Sequence, residues 1–119
     1  MSSSGQYINI LDDIRMYYST DYGNSFKLKY FNDIINQNLN YLAYKIVISS
    51  TGQFQYITLN NTINNIIIHS FDYGNTWQIL NTESIPNLIP ITSISSDGSI
   101  ILCSSQNTIY GIYLNSLLN

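Results

Sequence analysis

Two near-copies of one eight-residue motif, Ser19-Thr20-Asp21-Tyr22-Gly23-Asn24-Ser25-Phe26 and Ser70-Phe71-Asp72-Tyr73-Gly74-Asn75-Thr76-Trp77, stand 51 positions apart in this chain. A second signature precedes each copy, Ser3-Ser4-Gly5-Gln6-Tyr7 and Ser50-Thr51-Gly52-Gln53-Phe54, and recurs as Ser96-Asp97-Gly98-Ser99-Ile100. Five of the six glycines therefore occupy repeat positions. Self-similarity of this kind means a series of like units, each covering a face of the next.

The interval from Gly5 to Gly52 is 47 positions and from Gly52 to Gly98 it is 46, a period shared by propeller blades and some helical solenoids. Residue types decide between them. Segments rich in Ile, Val, Tyr and Thr, separated by Gly, Asn, Ser or Asp, read as strands. The expected order is three strands (6–10, 14–19, 26–31), then four (44–49, 53–59, 65–70, 77–80), then three (91–95, 99–104, 108–114). Ile46-Val47-Ile48 and Ile66-Ile67-Ile68 are apolar at consecutive positions, which implies sheets covered on both faces. Residues 32–40 fit either a short helical turn or a long crossover, while Pro86 and Pro90 favour an extended connection over 81–90.

The pattern Ser-x-Asp-x-Gly-x-(Ser/Thr)-(Phe/Trp) resembles the Asp-box, or BNR repeat, of β-propeller proteins. Ser70, Asp72, Gly74, Thr76 and Trp77 match every position; in Ser19, Asp21, Gly23, Ser25 and Phe26 the departure is Phe for Trp. The resemblance implies an all-β chain of propeller blades, approximately 2–43, 44–90 and a partial third at 91–119, in which both boxes act as structural fasteners at the blade periphery. In the box, Gly23 or Gly74 supplies a positive φ and Asp21 or Asp72 accepts from the turn's backbone N–H groups. Phe26 and Trp77 are expected to open the next strand and bury a ring against the core. Gly5, Gly52 and Gly98 are expected to form structural turns of their own.

The third repeat lacks the box, with Ile112 aligned to Ser70 and Leu114 to Asp72. About two and a half blades cannot close a ring, and an open fan exposes apolar faces and strand edges. Completion by oligomerisation is expected, as a homodimer of about six blades; neighbouring blades from a longer chain are the competing reading.

Composition removes several function classes. A net charge of -3, with 9% charged residues, gives no electrostatic case for nucleic acid or anionic membrane. No apolar run approaches roughly eighteen residues, and Met1-Ser2-Ser3-Ser4-Gly5 lacks a signal-peptide pattern, so a cytoplasmic location is expected. Cys103, the single cysteine, lies in a predicted strand and reads as a buried inert thiol. The sequon Asn60-Asn61-Thr62 matters only in a secreted chain.

No catalytic residue, metal or cofactor is assigned. His69, Ser70 and Asp72 imitate a hydrolase triad, but adjacent strand residues point to opposite faces. Asp12-Asp13 and Asp97 do not form a recognisable cation loop. Sialidases, the enzymes best known for Asp-boxes, clamp a substrate carboxylate with several arginines, and Arg15 is the single arginine here. The expected function is a non-enzymatic binding or scaffold module for protein or glycan ligands. Eleven tyrosines with Trp77 keep a carbohydrate-binding propeller as the alternative and a sialidase-like fragment as a remote one.

Overall fold

A computed structural model describes residues 1–35, 41–60, 65–80, 91–105 and 108–113. The described chain forms three antiparallel sheets. The first holds β1 (Ile8–Leu11), β2 (Arg15–Ser19) and β3 (Lys27–Tyr30), followed by the short helix α1 (Phe31–Ile35). The second is four-stranded, in the order β4 (Leu42–Ile48), β5 (Gln55–Asn60), β6 (Asn65–Ser70) and β7 (Gln78–Ile79). The third holds β8 (Ile91–Ile94), β9 (Ile100–Ser105) and β10 (Thr108–Tyr113). The strand count per sheet, three, four and three, follows the sequence pattern, and no strand end is shifted by more than two residues. Of the ambiguous stretch after Tyr30, the described part is the helix; the proline-containing connection at 81–90 lies outside the described residues.

Consecutive apolar residues in the middle sheet serve two different cores. Val47, Tyr56 and Ile67 pack with Leu80, Ile91, Ile101 and Cys103 on the side of the third sheet. Their strand neighbours Ile46, Ile57 and Ile68, with Leu59, pack with Met16, Phe31, Ile35 and Tyr41 on the side of the first. Because alternate strand residues face opposite ways, an Ile-Val-Ile run is stable only between two apolar layers. Tyr56, Ile57, Leu59, Ile67 and Ile68 are all fully buried.

The outer sheets are covered on one side each. Strand register puts Ile10, Tyr17 and Leu28 together on the face of the first sheet turned away from the second. Ile10 is 52% exposed, whereas Ile57, at the equivalent place five residues after the turn glycine, is 0% exposed. Leu102 on the far face of the third sheet is 41% exposed, and its middle-sheet counterpart Tyr56 is 0%. One repeat position is therefore dry or wet according to whether a neighbouring sheet lies against it.

Candidate functional site

The two motif turns share one set of Ser, Asp, Gly and Ser/Thr hydrogen bonds. Ser19 Oγ donates to Asp21 Oδ1 at 2.8 Å and accepts from the Gly23 N–H at 2.9 Å. Ser70 Oγ does the same with Asp72 and Gly74, each at 2.8 Å. The Asp21 carboxylate also accepts from the Ser25 N–H at 2.9 Å and from its hydroxyl at 2.5 Å. Asp72 accepts from the Thr76 N–H at 2.9 Å and its hydroxyl at 2.6 Å. The hydroxyl of Ser25, and then its N–H, hold the Asp21 carboxyl down at about 2. For Asp72 burial pushes the other way, but the bonds from Thr76 and Ser70 prevail and its carboxyl is also lowered. Every acidic oxygen is committed to its own turn, the arrangement of a fastener and not of a general acid or a metal ligand.

Two details of the turns were not legible in advance. Tyr22 and Tyr73, as well as the glycines after them, have positive φ, 61° and 63° against 83° and 84°. The hairpin thus needs two successive left-handed residues, and the box bonds hold a tyrosine where it is disfavoured by about 1–2 kcal/mol. The expected burial of both aromatic ends is corrected for one of them. Trp77 packs beside the first-sheet core and donates Nε1–H to the Gly74 carbonyl at 3.1 Å, but Phe26 is 44% exposed. Phe lacks the indole N–H that reaches back to the turn, and both aromatics lie just before the strands that they were expected to open.

The turns at 2–7, 49–54 and 95–100 form a threefold series. Ser2, Ser49 and Ser95 each accept through Oγ from the N–H five residues on, at 3.0, 3.1 and 3.0 Å. Gly5, Gly52 and Gly98 sit at φ 79°, 86° and 77°. In the third turn Asp97 replaces the hydroxyls of Ser4 and Thr51, accepting from Ser95 Oγ at 2.8 Å and from the Ser99 N–H at 3.0 Å. Hydrogen bonds from Ser99, then Ser95, lower its carboxyl to about 2.

These turns also carry the joints between sheets. The Ser3 N–H donates to the Ser50 carbonyl at 2.7 Å, and the Ser50 N–H donates to the Ser96 carbonyl at 2.8 Å. A Cβ on Gly52 would lie 2.5 Å from the Tyr7 ring, and one on Gly98 would lie 2.3 Å from the Phe54 ring. Each glycine is a seat for the aromatic of the preceding sheet. Lys29 adds a tie from the first sheet to the second box, donating Nζ–H to Gly74 O at 3.1 Å and Asn75 O at 3.2 Å. Sequence reading missed Lys29, and the signal for the seats was the large side chain recurring two residues after Gly5, Gly52 and Gly98.

The remaining candidates separate in space. His69 is half-buried and lies tilted against Phe71 with ring centroids 4.4 Å apart, and burial lowers its pKa and favours the neutral ring. Ser70 Oγ is engaged in the box, so no Ser–His bond exists in this arrangement. Asp12 pairs with Arg15 Nε at 2.9 Å. Burial raises the Cys103 thiol to about 11, leaving it unreactive at neutral pH. Among the described residues no group of three His, Cys, Asp or Glu could hold a metal, and no helix is long and apolar enough to cross a membrane. A cavity of about 400 Å³ lies where the end of the first sheet and α1 meet Trp77, lined by Leu28, Lys29, Tyr30, Asp33, Ile34 and Trp77. Compared with protein-family models, curated proteins and solved structures, the chain matches none.

Proposed function

We propose that the chain is a non-enzymatic binding or scaffold module, built from Asp-box propeller blades that self-assemble into a closed ring. The observation that carries this reading is the repetition of one sheet-to-sheet joint twice within the chain, at offsets of 47 and 46 residues. A joint that recurs with the repeat is a rule for adding another sheet. Two copies would supply six sheets, a common propeller size, and hide the apolar faces around Ile10 and Leu102. The Asp21, Asp72 and Asp97 carboxylates are spent on turns, and Arg15 is the single arginine, too few for the carboxylate clamp of the enzymes that this chain resembles, which supports a role without catalysis. Light scattering on the purified chain tests the reading. A species near 27 kDa, twice 13.6 kDa, is expected; a well-folded 13.6 kDa particle at every concentration would overturn the ring.

The cavity at Trp77 favours a second reading, a carbohydrate-binding propeller. Tyr30 and Trp77 offer aromatic surface, with the Asp33 carboxylate close by to accept from sugar hydroxyls. Binding on a glycan array that is lost in Asp33→Ala would select this reading. Silence on the array alongside specific capture of a purified protein would reject it.

A further inference from the structure

Both halves of the internal joint are repeated at the outside of the molecule, one half at each end. Among the described residues, the Ser96 N–H has no hydrogen-bond partner, although the Ser3 and Ser50 N–H groups at equivalent positions each donate to the next sheet. Conversely, among the described residues the Ser3 carbonyl has no donor, although the Ser50 and Ser96 carbonyls each accept. The seats behave in the same way. Gly52 and Gly98 are buried under Tyr7 and Phe54, but a Cβ on Gly5 would meet nothing within 4 Å. Ile100, two residues after Gly98, stands where Tyr7 and Phe54 stand after Gly5 and Gly52.

Register adds the apolar surround of each half. Ile100 pairs with Tyr113, Leu102 with Gly111 and Ser104 with Ile109, so Ile100, Leu102 and Ile109 share the face of the third sheet that points away from the second. Leu102 is 41% and Ile109 77% exposed. On the first sheet, Gly5 is flanked by the face that carries Ile10, Tyr17 and Leu28. One end thus presents a donor and an apolar plug, while the other presents an acceptor and an empty seat.

We propose that the two ends join head to tail between copies of this chain: Ser96 N–H of one copy donates to Ser3 C=O of the next, and Ile100 occupies the seat above Gly5. The occupant is a second copy because the complement of each face is already present, at the other end of the same molecule, in the form used twice inside it. Such a heterologous contact closes when the rotation per sheet completes a circle, and two copies then make the joint twice. The assignment rests on the self-assembling reading above and locates its contact.

The test combines mass with amide hydrogen exchange on the 119-residue chain over a range of concentrations. The Ser50 amide should be protected throughout. The Ser96 amide should exchange freely in dilute solution and slow by about tenfold or more as the mass rises above 13.6 kDa. Gly5→Asn keeps a residue that tolerates positive φ, and its Cβ would meet no atom within 4 Å inside one chain, yet the side chain fills the seat; it should stay folded at 13.6 kDa. Assembly with unprotected Ser96, or undiminished assembly of folded Gly5→Asn, would overturn the joint and leave the ring reading standing. A wild-type chain that stays at 13.6 kDa would defeat both, including any case in which a foreign protein covers these faces. Should Gly5→Asn fail to fold, the Ser96 amide decides alone. An assembly larger than two copies with protected Ser96 supports the joint and rejects the two-copy ring.

Discussion

Asp72 receives three hydrogen bonds, from the Thr76 N–H and hydroxyl and the Ser70 hydroxyl, and so closes a turn whose Tyr73 has a φ of 63°. Bonds to a charged acceptor contribute more than neutral ones, but this carboxylate is partly in water, so Asp72→Ala should cost about 1–2 kcal/mol. Urea denaturation measures it, and a loss under about 0.5 kcal/mol, the size of an ordinary surface substitution, would remove the box from the stabilising features. Asp21 and Asp97, held at about 2 against an ordinary 3.8, make a prediction about acid. A carboxyl whose folded-state value is lowered contributes fully above its unfolded value and loses that contribution as pH falls through the folded one. Stability should therefore decline from about pH 4 toward pH 2, and carboxyl resonances of Asp21 and Asp97 should titrate last; titration of both near 3.8 would contradict the turn geometry. The residue types of the box were readable because Asp, Gly and Ser have few other reasons to recur at that spacing. The left-handed tyrosines were not, since backbone dihedrals enforced by neighbouring bonds leave no mark on residue identity.

At the level of strands, burial distinguishes chemically similar residues. Ile57 in β5 is 0% exposed between two sheets, while Ile79 in the edge strand β7 is 47% exposed. Truncating the first removes transfer energy and leaves a cavity, so Ile57→Ala should destabilise by about 2–4 kcal/mol. Ile79→Ala should cost less than about 0.5 kcal/mol. Equal losses in thermal or chemical denaturation would show that the middle sheet is not enclosed. Apolar runs such as Ile66-Ile67-Ile68 signalled that enclosure from sequence alone, because alternation is required only of a sheet with a wet face. The helix at Phe31–Ile35 is one of two conformations that the sequence allows there. Five residues cannot display a helical period, and it is the burial of Phe31 and Ile35 against Met16 and Leu59 that decides the conformation.

For the whole molecule, the decisive property is the contrast between covered and uncovered copies of one repeat position. If copies associate through the faces at Ile10 and Leu102, folding and association are linked, and the melting temperature should rise with protein concentration. A melting temperature constant over a hundredfold dilution, in a chain that refolds reversibly, would speak for a self-sufficient monomer. Positive φ at all five repeat glycines, and not at Gly111, ties this large-scale repetition to local backbone demands.

Sequence by itself determined the strand-rich repeat, its period, the fastened turns and the two-sided burial of the middle sheet. These follow from short-range rules: which residues permit a turn, and which side of a strand each residue occupies. Tertiary structure decided that Ser3, Ser50 and Ser96 form one ladder, that Tyr7 and Phe54 sit over glycines of the next sheet, and that Gly5 and Ile100 remain as the unused halves. Contacts between residues nearly fifty positions apart depend on how one sheet is rotated onto another, and that rotation is fixed only when both cores are filled at once.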